Sequence, residues 1–160
     1  MDSKELERML ASMTRAGASS LHILSGHPPC VRVQRRFVKS EHAVVEPAEV
    51  EALLADLLFD DHRQRLAECG QVDVLYVART GQRFRTTVLR QENGLAMLMR
   101  PIPEAPPQLQ DLQLPQQVAS LVELQSGLVV IAGSFGSGKS ATLAALADAL
   151  NRTTSRHIVT

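Results

Sequence analysis

The chain has 160 residues, 17 basic and 17 acidic, with no formal net charge, 44% hydrophobic and 21% charged residues; this is ordinary globular chemistry, enough for one core or two small ones. Zero net charge gives no reason to expect a nucleic-acid partner, and with no Trp and one Tyr a base-stacking surface has little material. No segment approaches the ~20 apolar residues needed to span a bilayer, and the opening Met1-Asp2-Ser3-Lys4-Glu5 lacks the apolar stretch of a secretory signal, so the expectation is a cytoplasmic protein with no transmembrane segment.

Leu6, Met9, Leu10 and Met13 recur at helical spacing and Gly17 stops the pattern, which predicts an opening amphipathic helix. Strand character follows at 21–24, then the turn Gly26-His27-Pro28-Pro29, then a strand at 31–33. Pro47 suits a first helical position, and Val50, Leu53, Leu54, Leu57 and Leu58 mark the buried stripe of a second long helix. A third helix is expected at 61–68, ending at Gly70. The period then changes, and 72–78, 83–91 and 95–100 read as strands of an antiparallel sheet, giving a mixed α+β module over 1–101. Five prolines between Pro101 and Pro115 predict an extended linker over 102–115. A short helix is expected at 116–124, and a second domain over 116–160.

The densest chemical signal lies in that last segment. Gly133-Ser134-Phe135-Gly136-Ser137-Gly138-Lys139-Ser140 is a complete phosphate-binding loop, preceded by an apolar run at 128–131 that reads as a buried strand and followed by an Ala/Leu-rich helix at 142–150. Its glycines let successive backbone N–H groups turn inward toward phosphate oxygens, and the positive end of the helix adds attraction for the anion. The expected cofactors are ATP and Mg²⁺: residues Gly133 through Ala141 would line the phosphates, Lys139 would reach the β/γ-phosphates, and Ser140 would hold the metal. Cys30 and Cys69 belong to no paired motif, and His22, His27, His42, His62 and His157 show no ligand spacing, so none is assigned chemistry.

Asn93-Gly94, between two strands, is a strong hairpin signal, because both central residues of a type I′ turn need positive φ. With those two residues as the loop, Glu92 faces Leu95, Thr87 faces Arg100, and Arg85 and Arg100 become diagonal neighbours on one face, ~7–8 Å apart. Two converging guanidiniums repel unless an anion or carboxylate lies between them. Two readings stay open: a solvated basic face with salt bridges to Glu92, Glu104 or Asp73, or a pair of nucleotide-sensing arginines that stabilise a γ-phosphate.

Taken together, these segments resemble the pilus-retraction (twitching motility, PilT-like) ATPases of the type II/IV secretion ATPase superfamily. Gly17-Ala18-Ser19-Ser20-Leu21-His22 is similar to the family's GASDLH stretch, and Gly26-His27-Pro28-Pro29-Cys30-Val31-Arg32-Val33 to its GxPPxxRV stretch. Arg83-Phe84-Arg85 through Gln91, then Gly94-Leu95-Ala96 through Leu98-Met99-Arg100-Pro101-Ile102-Pro103, resembles its GRFR...FRQ...G-L-A...LRPIP signature, and the tail from Gly133 to Thr160 resembles the region running from its phosphate loop to the strand before its acidic box. The resemblance implies a PAS-like amino-terminal domain followed by the first β-α-β portion of a RecA-like P-loop domain. It further implies a hexamer at the cytoplasmic face of the inner membrane, working on the platform of a pilus machine, in which Arg85 and Arg100 reach the nucleotide. Ser20 stands where the family has an aspartate, Ser134 where it has a proline and Phe135 where it has a threonine. The family's acidic box, Walker B segment and histidine box all follow the position of Thr160, so the expectation is that this chain binds ATP–Mg without hydrolysing it alone. The alternative expectation is a short non-catalytic interaction module that docks on full-length pilus ATPases and regulates them.

Overall fold

The computed structural model describes residues 1–134 and 136–160. It divides into two compact units, Met1–Glu104 and Ala105–Thr160. In the first unit six antiparallel strands form one sheet in the order β3-β2-β1-β6-β5-β4, built from β1 (Ser20–Leu24), β2 (Cys30–Val33), β3 (Arg36–Lys39), β4 (Gln71–Val77), β5 (Arg83–Gln91) and β6 (Gly94–Ile102). Three helices, α1 (Ser3–Arg15), α2 (Pro47–Ala55) and α3 (Asp60–Cys69), accompany it.

The core follows from the two periods meeting. Leu6, Met9, Leu10 and Met13, all on one stripe of α1, are buried, as are the alternate strand residues Leu21, Ile23, Val72, Val74, Phe84, Val88, Met97 and Met99. Val50, Leu54 and Leu66 complete the cluster from α2 and α3. Asp2 opens α1 by accepting a 2.8 Å hydrogen bond from the Glu5 amide, satisfying one of the free donors of the first turn. The other sheet face carries the remaining alternate positions, among them Phe37, Leu75 and Val77, each more than half exposed.

Several expectations are corrected. The second helix is shorter than its apolar stripe, ending at Ala55, because the Arg63 guanidinium donates to the Ala55 and Leu58 carbonyls at 2.8 and 3.0 Å and holds the chain in a corner there. The third helix starts at Asp60. Strand β3 was not expected at all. It is reached through Gln34 and Arg35 with φ of 46° and 68°, a left-handed turn made by two residues that do not advertise one. The β5–β6 loop is Glu92-Asn93 rather than Asn93-Gly94, since Gln91 pairs with Gly94. Asn93 has no positive φ; Gly94 has, at 121°.

In the second unit the proline-rich stretch is not wholly extended, because Leu109–Leu112 closes a short 3₁₀ turn. The expected helix at 116–124 is 3₁₀ as well, Gln116–Glu123. Helix α4 is longer than expected, Lys139–Thr153. Residues 128–131 and 158–160, expected as the two strands of a β-α-β unit, are assigned no strand. A strand exists through a neighbour's backbone hydrogen bonds, and among the described residues neither segment has such a partner. Leu128 and Val130 are 87% and 74% exposed.

Candidate functional site

The phosphate-loop residues form a tight turn onto α4. Gly136 and Gly138 have φ of 77° and 93°, and Gly138 is the residue from which the 15-residue helix springs. Gly133 is crowded instead: a Cβ there would lie 2.7 Å from Ser137 Oγ, so the Ser137 hydroxyl would have to swing away to admit a side chain. The Lys139 ammonium folds back over the loop and donates to the carbonyls of Gly133 at 3.1 Å and Ser134 at 2.8 Å. Those carbonyls hold the cation at the mouth of the turn. Ser140 and Ala141 stand in the first turn of α4, Ser140 exposed. Phe135 lies outside the described residues. Compact glycine backbone, a lysine on the concave side, the positive end of a helix and a free first-turn hydroxyl are a donor set that fits a polyphosphate with a divalent cation. Among the described residues no cluster of His, Cys, Asp and Glu offers a separate metal site.

The second candidate element lies in the first unit. Arg85 and Arg100 face each other directly across β5 and β6, closer than the diagonal expected. Their surroundings differ. Arg85 donates from Nη2 to Asp73 Oδ2 at 2.8 Å, and Thr87 Oγ1 donates to Asp73 Oδ1 at 2.5 Å. The Thr87 hydrogen bond, then that from Arg85, holds the Asp73 carboxyl below the usual carboxylate range, with the Arg100 charge adding to the effect. Asp73 in turn pushes the Arg85 guanidinium up. Arg100 has no ion pair and no side-chain hydrogen bond among the described residues. Of the carboxylates the sequence offered as partners, the structure selects Asp73, and only for one arginine of the pair.

Sequence reasoning passed over His22. Its Nε2 lies 2.8 Å from the hydroxyl of Ser20, a buried serine, and the Phe37 ring meets it edge-on at 5.0 Å. Burial, then the charges of Arg100 and Arg32, hold its pKa below the usual value. The available signal was the period of two in β1, which sets Ser20 and His22 on one face. A cavity of 570 Å³ lies elsewhere, between α1 and residues of β1 and β2 including Leu21 and Val31; it holds none of the phosphate-loop or arginine chemistry.

Among the described residues no helix is long and apolar enough to cross a membrane. No family model matches the chain. It is 35% identical over 155 residues to YggR of Escherichia coli K12, covering 97% of this chain and 47% of that protein. It is 32% identical over 156 residues to the type IV pilus retraction ATPase PilT of Pseudomonas aeruginosa PAO1, covering 98% of this chain and 45% of that protein. The crystal structure of the pilus retraction motor PilT with bound ADP superposes with a TM-score of 0.82 at 33% identity, covering 93% of this chain and 44% of that one. The chain thus spans a little under half the length of the relatives it matches. Over nearly all of its own residues, in sequence and in fold, the chain is similar to the PilT-like pilus ATPases.

Proposed function

We propose that the chain is the nucleotide-gripping and nucleotide-sensing part of a hexameric ATPase that powers type IV pilus retraction, working in the cytoplasm against the inner-membrane platform of the pilus machine. In this reading residues 1–101 form the PAS-like domain, 102–115 the linker, and 116–160 the beginning of a RecA-like ATPase domain. The observation that carries it is the loop at Gly133–Gly138, where a glycine crowded by the Ser137 hydroxyl and a lysine folded over the turn precede a long helix, in a chain one third identical to a retraction motor.

ATP, when bound with Mg²⁺, supplies the phosphoryl group whose transfer to water drives such a motor. The chain's own residues would do the following. The Lys139 ammonium exchanges the Gly133 and Ser134 carbonyls for phosphate oxygens, trading dipoles for full negative charge. Backbone N–H groups of the turn and of the first helical turn, through Ala141, receive the remaining oxygens, and the Ser140 hydroxyl takes one position on the metal. Arg100, without a carboxylate partner among the described residues, and Arg85, once released from Asp73, would meet the nucleotide held by a neighbouring copy.

The test is equilibrium binding of a fluorescent ATP analogue to the chain and to Lys139→Ala, with and without Mg²⁺. Saturable, Mg²⁺-dependent binding that weakens at least about tenfold in the variant is expected, since a charge-assisted bond is lost. Equal binding by both proteins would remove the loop from the reading.

A second reading, a non-catalytic module that docks on full-length pilus ATPases and regulates them, draws on one contrast. The first unit has a closed core, whereas residues 128–131 of the second have no strand partner among the described residues. Retention of a full-length retraction ATPase by the immobilised chain at micromolar concentration supports it, and no retention there counts against it.

A further inference from the structure

One row of the open face of the sheet brings three arginines together. Arg32 on β2 pairs with Ser20 on β1 and with Phe37 on β3. Leu21 pairs with Met99, so the register carried one residue further sets Ser20 opposite Arg100, which pairs with Arg85. The row therefore reads Phe37, Arg32, Ser20, Arg100, Arg85, Leu75. The next row on the same face reads Lys39, Cys30, His22, Leu98, Thr87, Asp73.

Two consequences follow from this register. Arg32 and Arg100 flank a serine, the smallest side chain in either row, across two strand spacings or about 10 Å. Their guanidiniums stand on either side of a gap whose floor is a hydroxyl. Then, the only acid in these two rows, Asp73, is already taken by Arg85 and Thr87. Among the described residues neither Arg32 nor Arg100 has a carboxylate partner; Arg32 lies 5.7 Å over the Phe37 ring instead. Two unneutralised guanidiniums beside a small polar floor are a charge arrangement that an anion stabilises.

We propose that Arg32, Arg100 and His22 form an oxyanion site over Ser20, sized for one phosphate-type group, separate from the Arg85–Asp73 pair. The inference rests on the reading above that Arg100 meets phosphate, and it moves the centre of that contact from the Arg85 side to the Ser20 side. His22 supplies a third positive charge by taking up a proton, and through it the Ser20 hydroxyl becomes the third donor. The groups facing it are Arg32 and Cys30 from β2, Lys39 and Phe37 from β3, and Arg100 from β6, all cationic or neutral, so without an anion the ring is held neutral. An anion between the two arginines reverses the sign of the local field. Once protonated, the ring donates from Nε2 to Ser20 Oγ, and the Ser20 hydroxyl hydrogen is freed to point at the anion. One proton is taken from solvent per anion bound.

The experiment is an NMR titration of the full chain with inorganic tripolyphosphate, reading the His22 ring, the Arg100 and Arg32 Nε–H signals, and separately the Gly136 and Gly138 amides, which report the phosphate loop. The inference expects the His22 titration midpoint to rise at saturating tripolyphosphate. It also expects Ser20→Asp, which builds a carboxylate into the gap, to weaken the His22 response by about tenfold or more. Arg32→Gln, an exposed change that leaves the sheet intact, should weaken it as well. If the Arg100 signal saturates while the His22 midpoint stays in place, the site over Ser20 is overturned and the phosphate contact of Arg100 stands. If neither responds, both are overturned, whatever the loop amides do.

Discussion

Gly94→Ala tests the hairpin that sets the whole register. Gly94 has a φ of 121°, a region that costs a non-glycine residue about 1–3 kcal/mol. A Cβ there would also lie 2.9 Å from Ser25 Oγ, 3.1 Å from Ser25 Cβ and 3.4 Å from Pro47 Cβ. Relief of that contact must displace the Ser25 hydroxyl, which donates to the Leu95 carbonyl at 2.7 Å; losing this bond costs about 1 kcal/mol more. The sum is about 2–4 kcal/mol against a typical stability of 5–15 kcal/mol, so the variant should fold but melt early. For a unit of this size that is a Tm lower by about 10–30 °C. The melt is best followed through the methyl signals of Met97 and Met99, which are buried in the first unit and report it alone. Asn93→Ala is the companion measurement. In a type I′ loop of Asn93-Gly94 both positions need positive φ and both variants would suffer, whereas in the observed Glu92-Asn93 loop Asn93 is unstrained and its variant should melt with the parent. A Gly94→Ala protein melting within about 3 °C of the parent would refute the close approach to Ser25, and with it the placement of the turn.

Thr86 is fully buried, and its hydroxyl has no hydrogen-bond partner among the described residues. Thr86→Val should therefore stabilise the first unit by about 1 kcal/mol, read as a Tm higher by roughly 5 °C, and a destabilised variant would show that the hydroxyl is satisfied. Tyr76, the only tyrosine, donates to Glu7 at 2.6 Å, and burial first, then that carboxylate, push its pKa up to about 12. Its folded value lies above the ordinary 10.0, so this stability is present below pH 10 and lost as the pH rises toward 12; ultraviolet titration should show no phenolate at pH 10.5 in the folded chain, and Glu7→Gln should lower the midpoint. His22 has the opposite linkage. Its folded pKa is depressed, so its contribution is complete above the ordinary 6.5 and is lost as the pH falls through the lower folded value. Stability should fall as the pH drops below 6.5, above the range where Asp73 titrates, and His22→Gln should flatten that fall; an unchanged slope would remove His22 as the cause.

What could be read from the sequence divides along a physical line. Elements whose evidence is local were legible: the α1 stripe, the Pro47 start of α2, the Gly70 stop of α3 and the alternation of β4 to β6 each depend on residues within a few positions of one another. Elements fixed by distant partners were not. The end of α2 is set by the guanidinium of Arg63, eight residues beyond Ala55. Strand β3 is made by pairing with β2 through a Gln34-Arg35 turn, whose residues have no special affinity for positive φ. The apolar run at 128–131 has a strand's composition, but composition provides no neighbour, and without one no ladder forms.

The arginine pair shows why an imperfect register still led to the right face. Moving a two-residue loop back by one position shifts each cross-strand partner by two, from Thr87 opposite Arg100 to Arg85 opposite Arg100. Side chains alternate with a period of two, so an even shift exchanges neighbours within a face and never sends a residue to the other side. The conclusion that Arg85 and Arg100 share a face was thus insensitive to the error, while the conclusion about what lies between them was not. That second question depends on β1 and β4, which flank the hairpin on either side and enter no hairpin argument. β4 brings Asp73 and neutralises Arg85; β1 brings Ser20 and His22 and leaves Arg100 facing open, cationic ground. Two arginines that look equivalent along the chain are made unequal by their outer neighbours. Asp73→Asn separates the two roles: it should free Arg85 without changing the anion response of His22, and a variant that altered both alike would mean that the row acts as one basic surface.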